Sequence, residues 1–151
     1  MEKAVEGHLR ERAQMGDIVP GKGRYSTPAF AVDKAGAPLG RLVCDYRKIN
    51  AVTRRYAGPA PEVWATLRKV AGFRWGSVLD FFNGFYHLEL TPEAQEALAI
   101  ISVSGLWEWV CLPMGPINGP QAFQGAMERA FGGSSTRTVF IDDVAVYTGK
   151  K

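Results

Sequence analysis

Cysteine is scarce in this chain of 151 residues, because Cys44 and Cys111 are the only two. Both lie in apolar, strand-like runs, which argues against a disulfide framework or a cysteine zinc site and favours a reducing compartment. Long apolar runs are also missing, and none approaches the ~20 residues that a membrane-spanning helix needs. The charged, helix-like N-terminus MEKAVEGHLRER does not resemble a signal peptide. We therefore expect an intracellular protein, in the cytoplasm, the nucleus or an organelle, with no membrane span.

An excess of charge of one sign is absent too. The 18 basic and 15 acidic residues leave a formal charge of only +3, which is compatible with a polyanionic partner but does not indicate one. The hydrophobic fraction of 46% and the charged fraction of 22% are typical of a folded globular chain and exclude a disordered one. The length fits one domain, or a fragment of a larger one.

The pattern of apolar residues predicts an α+β fold rather than a doubly wound parallel sheet. Helices are predicted over residues 2–16, 61–70 and 92–97, and from Gly119 to a stop at Gly132-Gly133. The last of these has an apolar stripe of Phe123, Met127, Ala130 and Phe131, which is predicted to be buried. Strands are predicted over residues 29–33, 41–46, 75–81, 98–103 and 106–112, and on both sides of Asp142 and Asp143. Residues 18–27 are rich in proline and glycine and are predicted to form an extended loop.

Three carboxylates, Asp80, Asp142 and Asp143, each stand at the edge of an apolar run. An unpaired carboxylate is costly to bury, so such a residue lies at a surface turn or is compensated by a cation. Two strand-end carboxylates brought together repel each other unless a hard cation such as Mg²⁺ lies between them, and such a site can serve two-metal phosphoryl transfer. Taken alone, an Asp-Asp pair is more often a solvated hairpin turn. The residues by themselves leave both interpretations open.

Four segments, in order, resemble the fingers and palm of a reverse transcriptase (RNA-directed DNA polymerase) of the long-terminal-repeat retrotransposon and retrovirus type. They are YSTPAFAVDK with RLVCDYRKIN, then SVLDFFNGFYHLEL, LPMGPINGPQAFQ and VFIDDVAVYT. The resemblance implies an α+β fold made of a partial polymerase palm, an antiparallel sheet with helices on one face, plus a fingers β-hairpin. It also implies a single fingers and palm domain over residues 1–151, lacking the thumb and the RNase H domain.

The resemblance further implies the roles of individual residues. Asp80, Asp142 and Asp143 would be the catalytic carboxylates and the ligands of two Mg²⁺ or Mn²⁺ ions. Five residues would bind the nucleotide: Lys34, Arg41, Phe85, Gly115 and Gln124. The two cations match fingers residues that grip the triphosphate, and the aromatic ring matches one that lies under the sugar and excludes a 2′-hydroxyl. Without the resemblance, the same residues are explained by solvated hairpin charges, a core aromatic ring and a helix start.

Two classes of function follow. The first is RNA-directed DNA polymerisation, with an RNA or DNA primer–template and deoxynucleotides as partners. The alternative is a domesticated, retroelement-derived subunit without catalysis, bound to protein partners in a larger complex. Because the sequence ends at Lys151, soon after the Asp-Asp pair, we expect weak Mg²⁺ binding and poor primer extension from the isolated chain. We also expect Trp107 and Trp109 to lie on an apolar surface that a partner covers.

Overall fold

A computed structural model describes residues 2–58 and 63–150, apart from the side chain of Lys150. The helices are α1 (Glu2–Met15), α2 (Arg47–Val52), α3 (Val63–Val70), α4 (Pro92–Ala97) and α5 (Gly119–Phe131), with a 3-10 turn at Gly84–His87. The strands are β1 (Ile18–Pro20), β2 (Thr27–Lys34), β3 (Ala37–Cys44), β4 (Phe73–Asp80), β5 (Ile100–Ser102), β6 (Gly105–Trp109), β7 (Arg137–Phe140) and β8 (Asp143–Lys150). This mixture confirms the predicted α+β class.

The chain divides into two compact units. The first consists of Met1–Arg54 and Phe85–Ile117, and the second of Arg55–Gly84 and Asn118–Lys151. Residues 59–62 lie outside the described residues, so the predicted helix 61–70 is described only from Val63.

The first unit contains a five-stranded sheet in the order β1-β6-β5-β2-β3. Its strand pairs are antiparallel except for β2 and β5, which run parallel with Thr27 opposite Ile100. Helix α1 forms because Val5 and Leu9 are spaced to share one face. Both are buried in the core of this unit, which also contains Ile18, Tyr46, Ile100, Trp109 and Cys111.

The second unit contains a three-stranded antiparallel sheet in the order β4-β8-β7. Helix α5 begins at Gly119, followed by Pro120 in the first turn, where proline needs no N–H partner. It packs on β7, with Phe123 and Met127 buried as predicted. The sequence pattern also placed Ala130 on the buried stripe, but the structure exposes Ala130 and buries Gln124 instead.

Two expectations are wrong, and one helix was missed. Ile18–Pro20, predicted as part of a loop, forms β1 because it pairs with β6 and buries Ile18. Trp109, expected on an exposed apolar surface, is only 1% exposed and stacks on Tyr86 with 5.6 Å between the ring centroids. The stretch after β3 was not predicted to be helical, yet Arg47–Val52 forms α2.

No helix within residues 2–58 and 63–150 has the length and apolar character needed to cross a bilayer.

Candidate active site

The three aspartates of the second unit lie at one edge of its sheet. Asp80 is the last residue of β4 and Asp143 is the first of β8, and the register places them directly opposite each other. Residues directly opposite in an antiparallel pair project their side chains from the same face. Asp142 precedes Asp143 in the hairpin turn, and its carbonyl oxygen accepts a hydrogen bond from the Phe81 N–H at 3.0 Å. The structure thus brings together the carboxylate residues that the sequence singled out.

A two-residue turn, Ile141 and Asp142, joins β7 to β8, since Phe140 and Asp143 still pair across the hairpin. We call these two residues the aspartate turn. Ile141 has a φ of +55°, in the left-handed region. Hairpin turns favour positive φ at the first turn position, but glycine is the residue usually found there. A β-branched residue in this conformation costs about 1–3 kcal/mol, so the surrounding structure must hold it in place.

Gln124 of α5 forms one hydrogen bond with this turn and two with residues outside it. Its side chain is 1% exposed. Its Oε1 accepts a hydrogen bond from the Ile141 N–H at 2.6 Å, and its Nε2 donates to Glu128 Oε1 at 2.9 Å and to the Val139 carbonyl at 3.4 Å. These partners belong to the protein itself, and the nucleotide contact expected of Gln124 stays a prediction.

Gly115 lies in a loop of the first unit and has a φ of +114°, which favours glycine. A Cβ atom at this position would stand 3.0 Å from Cδ2 of Tyr46, so any other residue would also require the Tyr46 ring to shift. The Gly115 carbonyl accepts a hydrogen bond from Asn50 Nδ2, and Asn50 Oδ1 accepts one from the Ile117 N–H, both at 2.9 Å. Asn50 was missed in the sequence, because nothing local to it signals a partner 65 residues away.

The remaining candidate nucleotide-binding residues also belong to the first unit. Lys34 and Arg41 are exposed on the β2–β3 hairpin, where Arg41 pairs with Val32 and Lys34 with Ala37 across a register shift. Phe85 is half-buried in the 3-10 turn. The first unit therefore carries Lys34, Arg41, Phe85 and Gly115, and the second carries the aspartates and Gln124.

One ion pair of the first unit lies at the start of α2. Arg47 donates from Nε and Nη2 to Asp45 at 2.7 and 2.6 Å. These hydrogen bonds lower the pKa of Asp45 from 3.8 to about 2. The Arg47 N–H also donates to Asp45 Oδ1 at 3.2 Å, so the carboxylate supports the start of α2, the helix that carries Asn50.

Carboxylate oxygens are hard donors of the kind that Mg²⁺ and Mn²⁺ prefer, so the aspartates suit these ions chemically. Within the described residues, no group of three or more histidine, cysteine, aspartate or glutamate side chains is arranged to hold a metal ion. The metal-ligand role of Asp80, Asp142 and Asp143 therefore stays a prediction.

Residues 32–151 match a family model described as reverse transcriptase (RNA-dependent DNA polymerase). The chain belongs to the reverse transcriptase family. The predicted family membership is thus confirmed. The match includes the aspartates of both strands and both segments that carry Gly115 and Gln124.

Curated relatives of this reverse transcriptase chain are much longer proteins. A retrovirus-related Pol polyprotein from transposon opus of Drosophila melanogaster is 29% identical over 98% of this chain and 15% of its own length. A putative enzymatic polyprotein of Cassava vein mosaic virus is 30% identical over 97% of this chain and 22% of its own length. The chain therefore spans less than a quarter of these two relatives.

Solved structures share the fold. The foamy viral protease–reverse transcriptase dRH in complex with double-stranded DNA has a TM-score of 0.86 at 21% identity, over 99% of this chain and 26% of that one. The foamy viral enzyme in complex with an RNA/DNA hybrid has a TM-score of 0.85 at 20% identity, over 99% of this chain and 20% of that one. The implied similarity to a reverse transcriptase fold is confirmed.

Proposed function

We propose that this chain carries the catalytic carboxylates of RNA-directed DNA polymerisation by two-metal nucleotidyl transfer. The observation that supports this most directly is the register that sets Asp80 opposite Asp143, next to Asp142 in the aspartate turn. In this proposal Asp80, Asp142 and Asp143 hold two Mg²⁺ or Mn²⁺ ions. When bound, such ions neutralise phosphate charge and lower the pKa of an attacking hydroxyl.

The other candidate residues have roles that follow from their chemistry. Lys34 and Arg41 are exposed cations on one hairpin and are proposed to bind the triphosphate through charge-assisted hydrogen bonds. Phe85 is proposed to lie under the sugar, where an aromatic ring disfavours a 2′-hydroxyl. The partners in this proposal are a deoxynucleotide and a primer–template of RNA or DNA, as for the foamy viral enzyme solved with double-stranded DNA and with an RNA/DNA hybrid.

Metal binding is the first test. In the ¹⁵N-labelled chain titrated with Mn²⁺, we expect paramagnetic broadening of the amide signals of residues 80, 142 and 143. Asp80→Asn and Asp142→Asn each remove a carboxylate and should weaken Mn²⁺ binding at least ~10-fold, as loss of a charged ligand implies. Asp33→Asn, at an exposed aspartate of the other unit, is the matched control. Equal broadening in all variants would contradict the proposed metal site.

Primer extension is the second measurement, with an RNA template, a DNA primer, deoxynucleotides and Mg²⁺. In this proposal extension depends on the aspartates, because the metal ions that they hold activate the attacking hydroxyl. Any extension seen should disappear in Asp80→Asn and Asp142→Asn. Extension that survives both substitutions would contradict the catalytic assignment, and robust extension that both abolish would make the chain a self-sufficient polymerase.

A second candidate function is the non-catalytic interaction subunit. The observation in its favour is β4, an outer strand of the sheet formed by the described residues, which exposes apolar side chains in and after it. These are Trp75, Val78, Leu79 and Phe82, exposed by 66, 69, 56 and 85%. Exposed apolar side chains on a strand at the edge of a sheet are typical of an interaction site. A complex of fixed stoichiometry containing this chain, together with unchanged Mn²⁺ titrations in the aspartate variants, would favour this candidate.

A further inference from the structure

We propose that Gln124 is a positioning residue for the aspartate turn. Its buried carboxamide keeps Ile141 in the left-handed conformation and thereby fixes where the Asp142 backbone stands beside the end of β4. The catalytic significance of this arrangement rests on the proposed function, whereas the contact between Gln124 and the turn stands independently of it.

The hydrogen-bond chemistry admits one orientation of the carboxamide. Oε1 lies 2.6 Å from the Ile141 amide nitrogen, which can only donate. Nε2 lies near the Val139 carbonyl and the Glu128 carboxylate, which can only accept. Rotating the amide by 180° would set donor against donor and acceptor against acceptor. Donor and acceptor of the same side chain thus join the end of β7 to the first residue of the turn.

The backbone of the turn needs such a partner. In a two-residue hairpin turn, the N–H of the first turn residue points away from the partner strand and has no place in the ladder. At Ile141 this N–H belongs to a β-branched residue with a φ of +55°. Removing the acceptor would leave both an unsatisfied donor and an unfavourable conformation, so the turn would relax toward other φ values.

The conformation of Ile141 also determines the position of Asp142, the next residue in the chain. Asp142 follows Ile141 directly, and its carbonyl accepts the hydrogen bond from Phe81, the residue after Asp80. A change of φ at Ile141 reorients the Asp142 peptide and breaks this alignment. Gln124 itself is well anchored, because Phe123 and Met127 of the same helix are buried in the core of the unit.

The test compares two glutamines of α5. Gln124→Met keeps the length of the side chain but removes its donor and acceptor. Gln121→Met is the matched control, since Gln121 is half-buried and its Oε1 has no hydrogen-bond partner among the described residues. In the full chain, we expect the Ile141 amide to exchange with solvent ~10-fold faster in Gln124→Met and unchanged in Gln121→Met. The chemical shifts of Asp142 and Phe81 should move in the first variant only.

A rescue separates positioning from loss of packing. Glycine adopts a positive φ without steric cost, so Ile141→Gly in the Gln124→Met background should return the Asp142 and Phe81 shifts toward wild-type values. If Gln124→Met does not fold, the double variant should regain the far-ultraviolet circular dichroism of the wild type. Failure of this rescue, unchanged exchange at Ile141 in Gln124→Met, or equally fast exchange in Gln121→Met would overturn the proposal.

The Mn²⁺ titration distinguishes the two proposals. If both hold, Gln124→Met weakens broadening at residues 142 and 143, and Ile141→Gly restores it. If the wild-type chain shows no Mn²⁺ broadening at the aspartates, the metal site fails while faster Ile141 exchange in Gln124→Met still supports the positioning role. Mn²⁺ binding that persists unchanged while Ile141 exchange accelerates would remove the link between the turn and the carboxylates.

Discussion

Each unit of this reverse transcriptase chain fixes an irregular backbone segment with one side-chain amide, but the two segments differ in the residue that takes the positive φ. In the first unit Asn50 hydrogen-bonds the loop at Gly115, where glycine itself supplies the conformation. In the second unit Gln124 hydrogen-bonds the aspartate turn, where Ile141 takes it. Asn50 binds a loop in which glycine adopts the positive φ without steric cost, whereas Gln124 binds a turn whose conformation isoleucine disfavours.

The two amide side chains also differ in how deeply they are buried. Asn50 is half-buried and Gln124 is 1% exposed. Water can replace hydrogen bonds lost at a partly exposed loop, but it reaches a buried turn less readily. The comparison therefore predicts that the backbone residue is the critical element in the first unit, and the amide side chain in the second.

The largest effect is expected from Gly115→Ala. The substitution places a Cβ 3.0 Å from Tyr46 and forces alanine to a φ of +114°, so we expect the free energy of unfolding to fall by about 3 kcal/mol. Gly36→Ala is the control, because Gly36 has a φ of +76° and no atom within 4 Å of the added Cβ. Its cost should be about 1 kcal/mol. Equal costs in urea denaturation would show that the Tyr46 contact contributes nothing.

A smaller loss is expected from Asn50→Ala. It leaves the Gly115 carbonyl and the Ile117 N–H without their side-chain partner, but water can reach the half-buried site, so we expect a loss of about 1 kcal/mol. Asn50→Asp keeps the acceptor for Ile117 but sets a carboxylate oxygen against the Gly115 carbonyl oxygen, so it should cost at least as much. Urea denaturation again gives the free energy of unfolding, which is compared with that of Gln124→Met. If Asn50→Ala costs more than Gln124→Met, the contrast drawn between the two amides is wrong.

These contrasts also show what the sequence could reveal. Helix α1 follows from the spacing of Val5 and Leu9, and α5 from the glycine and proline at its start, because both signals are local. The order of motifs identified Asp80 and the Asp142–Asp143 pair, and the register between β4 and β8 is consistent with that assignment.

The features that the sequence did not predict depend on residues that are distant along the chain. Strand β1 exists because Ile18 pairs with Trp109, and the pattern of residues 18–27 alone indicates a loop. The role of Asn50 depends on Gly115 and Ile117, and the buried carboxamide of Gln124 accepts its hydrogen bond from Ile141, 17 residues away. A polar residue inside an otherwise apolar stripe was the available signal for Gln124, but spacing could not show which backbone group it satisfies.

The smallest effect is expected from Asp45, whose carboxylate supports the start of the helix that carries Asn50. Hydrogen bonds from Arg47 lower the pKa of Asp45 to about 2 in the folded chain, against 3.8 ordinarily. Because the folded pKa is the lower one, the contribution to stability is present above pH 3.8 and is lost as the pH falls toward 2. Arg47 is 89% exposed, so solvent and salt screen the pair and the contribution is small.

Asp45→Asn should therefore leave the stability at pH 7 nearly unchanged and flatten its decline between about pH 4 and pH 2. Thermal unfolding across this range, at low and at high salt, measures the effect, and the difference from the wild type should shrink as salt is added. Asp33→Asn is the control, since Asp33 forms no ion pair within the described residues. If Asp45→Asn lowers the stability at pH 7 more than Asn50→Ala does, the Asp45 carboxylate contributes more to stability than the Asn50 amide, and the expected ranking is wrong.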